Sequence, residues 1–228
     1  MRGHHPTPTS KQRQMAEPTV LIEAQYFPPV QYFVVLAQAR ELLVEAQEHY
    51  QKRSYRNRCH IAGANGPMRL SVPLEKGKHE QQPITEVEIA YRKNWHSEHW
   101  HSIRSAYGKA PFFEFYAEEI QPLLYAKPDY LFELNLATIR KLLELLQLDC
   151  PVKLTEDYRH QASAGVADLR DAIHPKRPQL DFQPLPYPQV FLERHGFLPN
   201  LSILDLLFCA GPQSAVLLQQ FAEQNPLV

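Results

Sequence analysis

The chain has 228 residues, which fits one large domain or two small ones and is long enough to build a core without disulfides or metals. Acidic and basic side chains nearly cancel, 25 against 24, so binding to nucleic acid or to an anionic membrane would need a local basic patch. No apolar run reaches the roughly 18 residues of a membrane helix. Three widely separated cysteines, Cys59, Cys150 and Cys209, form neither a zinc motif nor a disulfide framework, so we expect a cytoplasmic protein.

Residues 1–18 are polar and are predicted to be a disordered leader, with residues 19–228 forming one α/β domain. Apolar runs and proline signals predict the following elements in the first part of the chain: strands at 20–25 and 42–46 around a helix at 30–39, a hairpin centred on Asn65-Gly66, and a half-buried strand at 84–90. The second part is predicted to contain helices at 95–107, 112–125 and 130–148, a strand at 152–155, an irregular segment at 157–188, and helices at 201–209 and 213–224.

The strand–helix–strand order near the N-terminus is typical of parallel sheets. We therefore predict an α/β fold with a mixed, mainly parallel sheet, flanking helices and a helical middle segment.

The segment 48–58 is the most basic part of the chain. It holds four cations and two tyrosines, Tyr50 and Tyr55, and it contains no acid after Glu48. Arginine forks suit phosphate and carboxylate oxygens, and the segment follows a predicted strand, where α/β sheets bind ligands. This pattern predicts an anion site. A solvated basic loop is the alternative, with about equal weight.

The loop 26–33 follows another predicted strand and precedes a helix, whose free N–H groups would favour an anion. It could form a second wall of the same site, or it could be a rigid turn with packed aromatic rings. His96 and His99 share one helix face but lack the third ligand of a zinc site, so no metal is predicted. No glycine-rich phosphate loop and no nucleophile motif occurs, and no cofactor is predicted.

Several motifs, in one order, resemble the WbqC-like family from about residue 20 to residue 220. They are Tyr26-Phe-Pro-Pro, Tyr50-Gln-Lys-Arg-Ser-Tyr-Arg-Asn-Arg58, Leu70-Ser-Val-Pro-Leu74, Tyr107-Gly-Lys-Ala-Pro-Phe112 and Gly196-Phe-Leu-Pro-Asn-Leu-Ser-Ile-Leu-Asp-Leu-Leu-Phe208. The resemblance implies a place in O-antigen or other surface-polysaccharide biosynthesis, and a glycine-transferase role. Many members carry an acidic pair before the basic segment. This chain has Glu45-Ala-Gln-Glu48 there, which makes Glu48 the nearest equivalent.

Three hypotheses follow. The first is a transferase that attaches glycine or another acyl group to a nucleotide- or lipid-linked amino sugar. Its partners are a small-molecule substrate, such as a nucleotide-sugar, and an aminoacyl or acyl donor. The second is a non-catalytic protein that binds a sugar-phosphate or a partner. The third is nucleic-acid binding, but the balanced charge argues against a stable nucleic-acid complex.

The predicted catalytic residues are Glu48 and His49. The predicted substrate-binding residues are Tyr26, Tyr32, Lys52, Arg53, Tyr55, Arg56, Asn57, Arg58 and Arg104.

Overall fold

A computed structural model describes residues 17–76, 82–176 and 182–227. All but the last two residues of the predicted leader lie outside these ranges. Within the described residues, no helix is both long and apolar enough to cross a membrane.

The chain begins with a strand, a helix and three more strands, continues with three helices, and ends with two short strands followed by three helices. The strands are β1 (Thr19–Glu23), β2 (Glu41–Glu45), β3 (Arg58–Gly63), β4 (Gly66–Ser71), β5 (Val152–Leu154) and β6 (Val166–Asp168). The α-helices are α1 (Val30–Leu36), α2 (Trp95–Tyr107), α3 (Phe113–Tyr125), α4 (Leu131–Leu145), α5 (Leu192–His195), α6 (Ile203–Ala210) and α7 (Ser214–Gln224).

The main sheet has four parallel strands in the order β5-β2-β1-β6. The chain moves outward from β1 to β2 and later to β5, and then returns to place β6 on the other side of β1. The strand order therefore reverses between β1 and β6. In open α/β sheets, ligands bind at the carboxyl ends of the strands beside such a reversal.

The predicted α/β fold with a mainly parallel sheet and a helical middle segment is confirmed. The hairpin is also confirmed: β3 and β4 pair antiparallel, and Gly63 opposes Gly66 across the turn. Gly66 has φ = 104°, a left-handed value that glycine adopts at little cost.

Two local predictions were wrong. Residues 84–90 do not form a strand. A 3₁₀ turn occupies Ile84–Glu86, and the next residues make only isolated bridges, Glu88 to Tyr130 and Ile89 to Leu74. Apolar alternation there reports burial of Val87 and Ile89 rather than a ladder. The segment 157–188 is not wholly irregular, since it contains β6, a strand too short and too exposed to leave an apolar pattern.

The core lies against one face of the main sheet. Val20 and Ile22 of β1 and Leu42 and Val44 of β2 are fully buried. All eight residues of α6 are buried as well. The opposite face bears the glutamates that end β1 and β2, because side chains alternate between the faces of a strand.

Gly211 follows the last residue of α6 and packs closely against Phe112, the residue before α3. Its φ is 56°, and a Cβ placed there would lie 2.4 Å from Cγ of Phe112. We predict that Gly211→Ala lowers the free energy of unfolding by more than about 2 kcal/mol, because overpacking adds to left-handed strain. Gly196→Ala is the matched control, since Gly196 has φ = 68° but no atom within 4 Å of an added Cβ. Equal losses in urea titrations of the two variants would contradict the tight contact with Phe112.

Candidate active site

Three adjacent strands of the main sheet, β2, β1 and β6, end in acids at one edge. β2 ends at Glu45, β1 at Glu23 and β6 at Asp168, and Glu23 is the direct register partner of Glu45. Both glutamates are buried. Adjacent strands lie about 4.8 Å apart, and like charges side by side are destabilising. This edge therefore requires cations and hydrogen-bond donors.

Arg56 supplies the first cation. Its Nε donates to Glu48 Oε1 at 2.7 Å, and its Nη2 donates to Glu48 Oε2 and, at 3.0 Å, to Asp171 Oδ1. The Arg56 side chain is fully buried. Local structure holds it there: Ser54 caps the 3₁₀ turn that carries Arg56, and the Asn135 amide donates to the Arg56 carbonyl at 2.7 Å.

Asp171 links this pair to β1. Its backbone N–H donates to Glu23 Oε2 at 2.9 Å, and its Oδ2 accepts from Gln51 Nε2 at 2.6 Å. Asp171 has φ = 59°, a left-handed conformation that is costly for most residues with a side chain but is tolerated best by Asp and Asn. Three carboxyl groups, on Glu23, Glu48 and Asp171, thus surround the single guanidinium of Arg56.

Arg170 supplies the second cation. Its guanidinium makes two bonds to Asp168 and donates to Glu45 Oε2 at 3.0 Å, and it lies 5.0 Å from the ring centre of Tyr158. Thr155 donates to the other oxygen of Glu45 at 2.7 Å. Through these bonds to Glu45, Thr155 before β6 and Arg170 after β6 both contact the carboxyl end of β2.

Burial and the charges at this edge of the sheet shift the pKa values of Glu48 and Arg56. Burial raises the pKa of Glu48 to about 7, although the bonds from Arg56 act in the opposite direction and the Glu23 and Asp171 carboxylates act in the same direction. Burial alone would lower the pKa of Arg56, but Glu23, Glu48 and Asp171 raise it overall. Glu48 is therefore a carboxyl group that can exchange a proton near neutral pH, beside a permanently charged guanidinium.

A cavity of about 510 Å³ opens at this edge. It lies beside the β2–β3 connection and the segments around β6, and it is lined by Gln47, Glu48, His49, Tyr50, Gln51, Lys52, Tyr158, Arg170 and Asp171. The lining combines a carboxyl pair, two cations and two phenol rings. Such a lining can bind a polar molecule that carries both charge and a ring.

The structure places four of the predicted site residues at this cavity. Glu48, His49 and Lys52 line it, and Arg56 lies directly behind Glu48. The Arg56 guanidinium cannot bind an anion through Nε and Nη2, because both nitrogens already donate to carboxylates of the protein. Arg53 is exposed and has φ = 63°.

The other predicted binding residues do not line the cavity. Tyr26 and Tyr32 are fully buried: Tyr26 Oη lies 2.9 Å from His99 Nδ1, and Tyr32 donates to the Glu23 carbonyl at 3.1 Å. Arg104 lines a separate groove with Lys109 and Phe191. The roles of these residues in binding stay predictions.

Three further predicted binding residues lie in or beside the 3₁₀ turn that carries Arg56. Tyr55 is buried, the Asn57 amide donates to the Val72 carbonyl, and Arg58 is half-buried. Their roles in binding stay predictions as well.

Sequence reasoning did not assign Glu23, Gln51, Tyr158 or Arg170 to the site. The run Asp168-Leu-Arg-Asp171 carried a signal, since it places three charges within four residues of a segment with little apolar content. Its partners are more than 100 positions away in the chain, and nothing local indicates them.

His96 and His99 lie on α2, away from the cavity lining. His99 is buried against Tyr26, and burial lowers its pKa to about 4. Across the described ranges, no group of three or more histidine, cysteine, aspartate or glutamate side chains could hold a metal ion.

Comparison with known proteins gives the family. Residues 23–178 match the WbqC-like protein family, and because this is more than half of the chain, the protein belongs to that family. The matched segment begins at Glu23. It includes Arg56, Arg170 and the carboxylates described above that bond to these two arginines. The chain is also similar to the uncharacterized protein Rv1507c of Mycobacterium tuberculosis, with 23% identity over 222 residues, 85% of this chain and 94% of that protein. No solved structure matches the chain.

We predict that Arg56→Met lowers the free energy of unfolding by about 3–5 kcal/mol, because it leaves buried carboxylates without their cation. The loss should be smaller at pH 4 than at pH 8, since protonation removes the uncompensated charge. Denaturant titrations at the two pH values measure it.

Arg58→Met is the matched control for this experiment. Arg58 is half-buried and, among the residues that the structure describes, its side chain donates only a long, 3.5 Å bond to Asn57, so its loss should stay below about 1 kcal/mol. A similar loss in both variants would show that Arg56 does not organise the cluster.

Proposed function

We propose that this protein is a transferase of surface-polysaccharide biosynthesis, of the O-antigen type, which attaches glycine or another acyl group to the amine of an amino sugar. The sugar is linked to a nucleotide or a lipid. The observation that carries the proposal is Glu48, a buried carboxyl group with a pKa of about 7 that lines the 510 Å³ cavity. Membership of the WbqC-like family supports the substrate class.

Glu48 acts as the general base. A base is most effective when its pKa lies near the working pH, and the pKa of Glu48 meets this condition. The acceptor nitrogen attacks the carbonyl carbon of an activated glycyl ester or thioester, and Glu48 takes a proton from that nitrogen. A carbon–nitrogen bond forms, the bond from the carbonyl carbon to the leaving group breaks, and Glu48 returns the proton to the leaving group.

The rest of the lining fits the binding of such an acceptor. The cavity volume lies within the range of small-molecule sites, roughly 300–1,000 Å³. Lys52 offers positive charge for a phosphate, and the ring of Tyr158, which is about half exposed, offers a face for a sugar ring. His49 is exposed at the same cavity.

The direct test is incorporation of labelled glycine into nucleotide-linked amino sugars, from glycyl-tRNA and glycyl thioester donors, read by mass spectrometry. Glu48→Gln should reduce turnover by roughly 10²–10⁴-fold, the usual contribution of a positioned base. For the unaltered protein, kcat/KM should rise with pH up to about 7 and level off above it, because the base must be deprotonated.

Glu193→Gln is the matched control, since Glu193 is an exposed glutamate on α5 outside the cavity lining. Full turnover in both Glu48→Gln and His49→Ala would refute the catalytic assignment. Saturable binding of a sugar-phosphate with no transfer from any donor would instead favour the non-catalytic binding protein.

A further inference from the structure

The hairpin of β3 and β4 has one buried face and one basic face. Cys59 and Ile61 of β3 are buried in the core. Because side chains alternate along a strand, Arg58 and His60 lie on the other side of β3. Arg69 of β4 is the direct register partner of His60, so it lies on this side as well. Two arginines and a histidine therefore share the outward face of the hairpin.

The charges of these side chains act on one another, and Arg53 joins them. Burial lowers the pKa of Arg58, and the charges of Arg69 and Arg53 lower it further. Tyr50 acts in the opposite direction. Burial also lowers the pKa of His60, as do the charges of Arg58 and Arg69, so His60 is neutral at neutral pH. We call this group the basic hairpin face, and its members are Arg53, Arg58, His60 and Arg69.

No carboxylate within the described part of the chain forms an ion pair with the basic hairpin face. In contrast, Arg56 and Arg170 each bond to two carboxylates. Arg58 and Arg69 are diagonal neighbours across the hairpin ladder, a separation that long side chains can span, so their charges repel each other. The positive charge of this face is therefore left for a ligand to neutralise.

The Arg58 guanidinium also keeps unused donors. Its Nε is buried and has no hydrogen-bond partner among the described residues, and its Nη2 makes only a long, 3.5 Å bond to Asn57. A guanidinium carries five N–H donors and no acceptor, so an anion is the group that completes its hydrogen bonding. The same anion would offset the repulsion between Arg58 and Arg69.

We propose that the basic hairpin face binds the diphosphate group that links the sugar to its nucleotide or lipid carrier. The inference deepens the proposed function, and it rests on that function for the identity of the sugar carrier. Three arginines carry three permanent positive charges, which match the multiple charges of a diphosphate better than the single charge of a carboxylate. The neutral imidazole of His60 adds one N–H donor.

The basic hairpin face adjoins the cavity of the candidate active site. Lys52 lines that cavity and directly precedes Arg53 in the chain. Tyr50 also lines it and acts on the charge of Arg58. A sugar held in the cavity can therefore extend its phosphates toward the hairpin, which places the reacting sugar and its carrier on neighbouring surfaces.

Calorimetric titration with inorganic pyrophosphate tests the inference without requiring turnover. We expect saturable binding that is tighter than the binding of inorganic phosphate or acetate. Arg69→Gln should weaken pyrophosphate binding about tenfold or more, the usual effect of losing a charge-assisted hydrogen bond. Arg69 is exposed, so the variant should keep the fold, which a thermal melt checks.

Arg140→Gln is the matched control. It removes the same charge from an exposed arginine on α4, so it should retain the affinity of the unaltered protein for pyrophosphate. No saturable binding of pyrophosphate, an unchanged affinity in Arg69→Gln, or an equal loss in both variants would overturn the inference.

Two further probes distinguish the carriers, because uridine diphosphate and farnesyl diphosphate share the diphosphate and differ in the group attached to it. Arg69→Gln should weaken the binding of both. Tighter binding of uridine diphosphate than of pyrophosphate would indicate a nucleotide carrier, and tighter binding of farnesyl diphosphate would indicate a lipid carrier. Binding of RNA without affinity for any of these diphosphates would overturn the inference.

The inference and the proposed function can fail separately. Diphosphate binding that depends on Arg69, without any glycyl transfer, would refute the proposed transferase and leave the inference standing. Glycyl transfer with an unchanged KM for the sugar substrate in Arg69→Gln would leave the transferase standing and overturn the inference.

Discussion

One buried guanidinium holds the candidate active site together. Arg56 bonds to Glu48, eight positions before it, and to Asp171, 115 positions after it. Burying a charge costs several kcal/mol unless hydrogen bonds and opposite charges surround it, so Arg56 can lie in the interior only when both partners are in place. The β2–β3 connection and the segment after β6 are therefore positioned by the same side chain.

The sheet topology makes this arrangement possible. Parallel strands bring their carboxyl ends to one edge, and the strand order reverses there, between β1 and β6. A residue with positive φ follows each of the adjacent strands β1, β2 and β6: Phe27, Arg53 and Asp171 have φ values of 38°, 63° and 59°. Such conformations cost roughly 1–3 kcal/mol each, and one of them, at Asp171, lies in the cavity lining.

Local patterns predicted much of the fold and only part of the site. The apolar periodicity of 95–107 matches α2 to the residue, and Asn65-Gly66 marks the hairpin, because both signals arise from neighbours in the chain. β6 has three residues and takes its stability from pairing with β1, so no local signal reveals it. Part of the basic segment 48–58 lines the cavity, but the contacts of Arg56 depend on Asp171, which sequence spacing does not indicate.

The central claim is that burial and two neighbouring carboxylates outweigh the bonds from Arg56 and leave Glu48 ready to exchange a proton at neutral pH. The most direct measurement is a carbon-13 NMR titration of the glutamate side-chain carboxyls, with the Glu48 signal assigned by its loss in Glu48→Gln. The account predicts a midpoint near pH 7 for Glu48. A midpoint at or below the ordinary glutamate value of 4.5 would show that Arg56 dominates, and Glu48 would then be a structural ion-pair partner rather than a base.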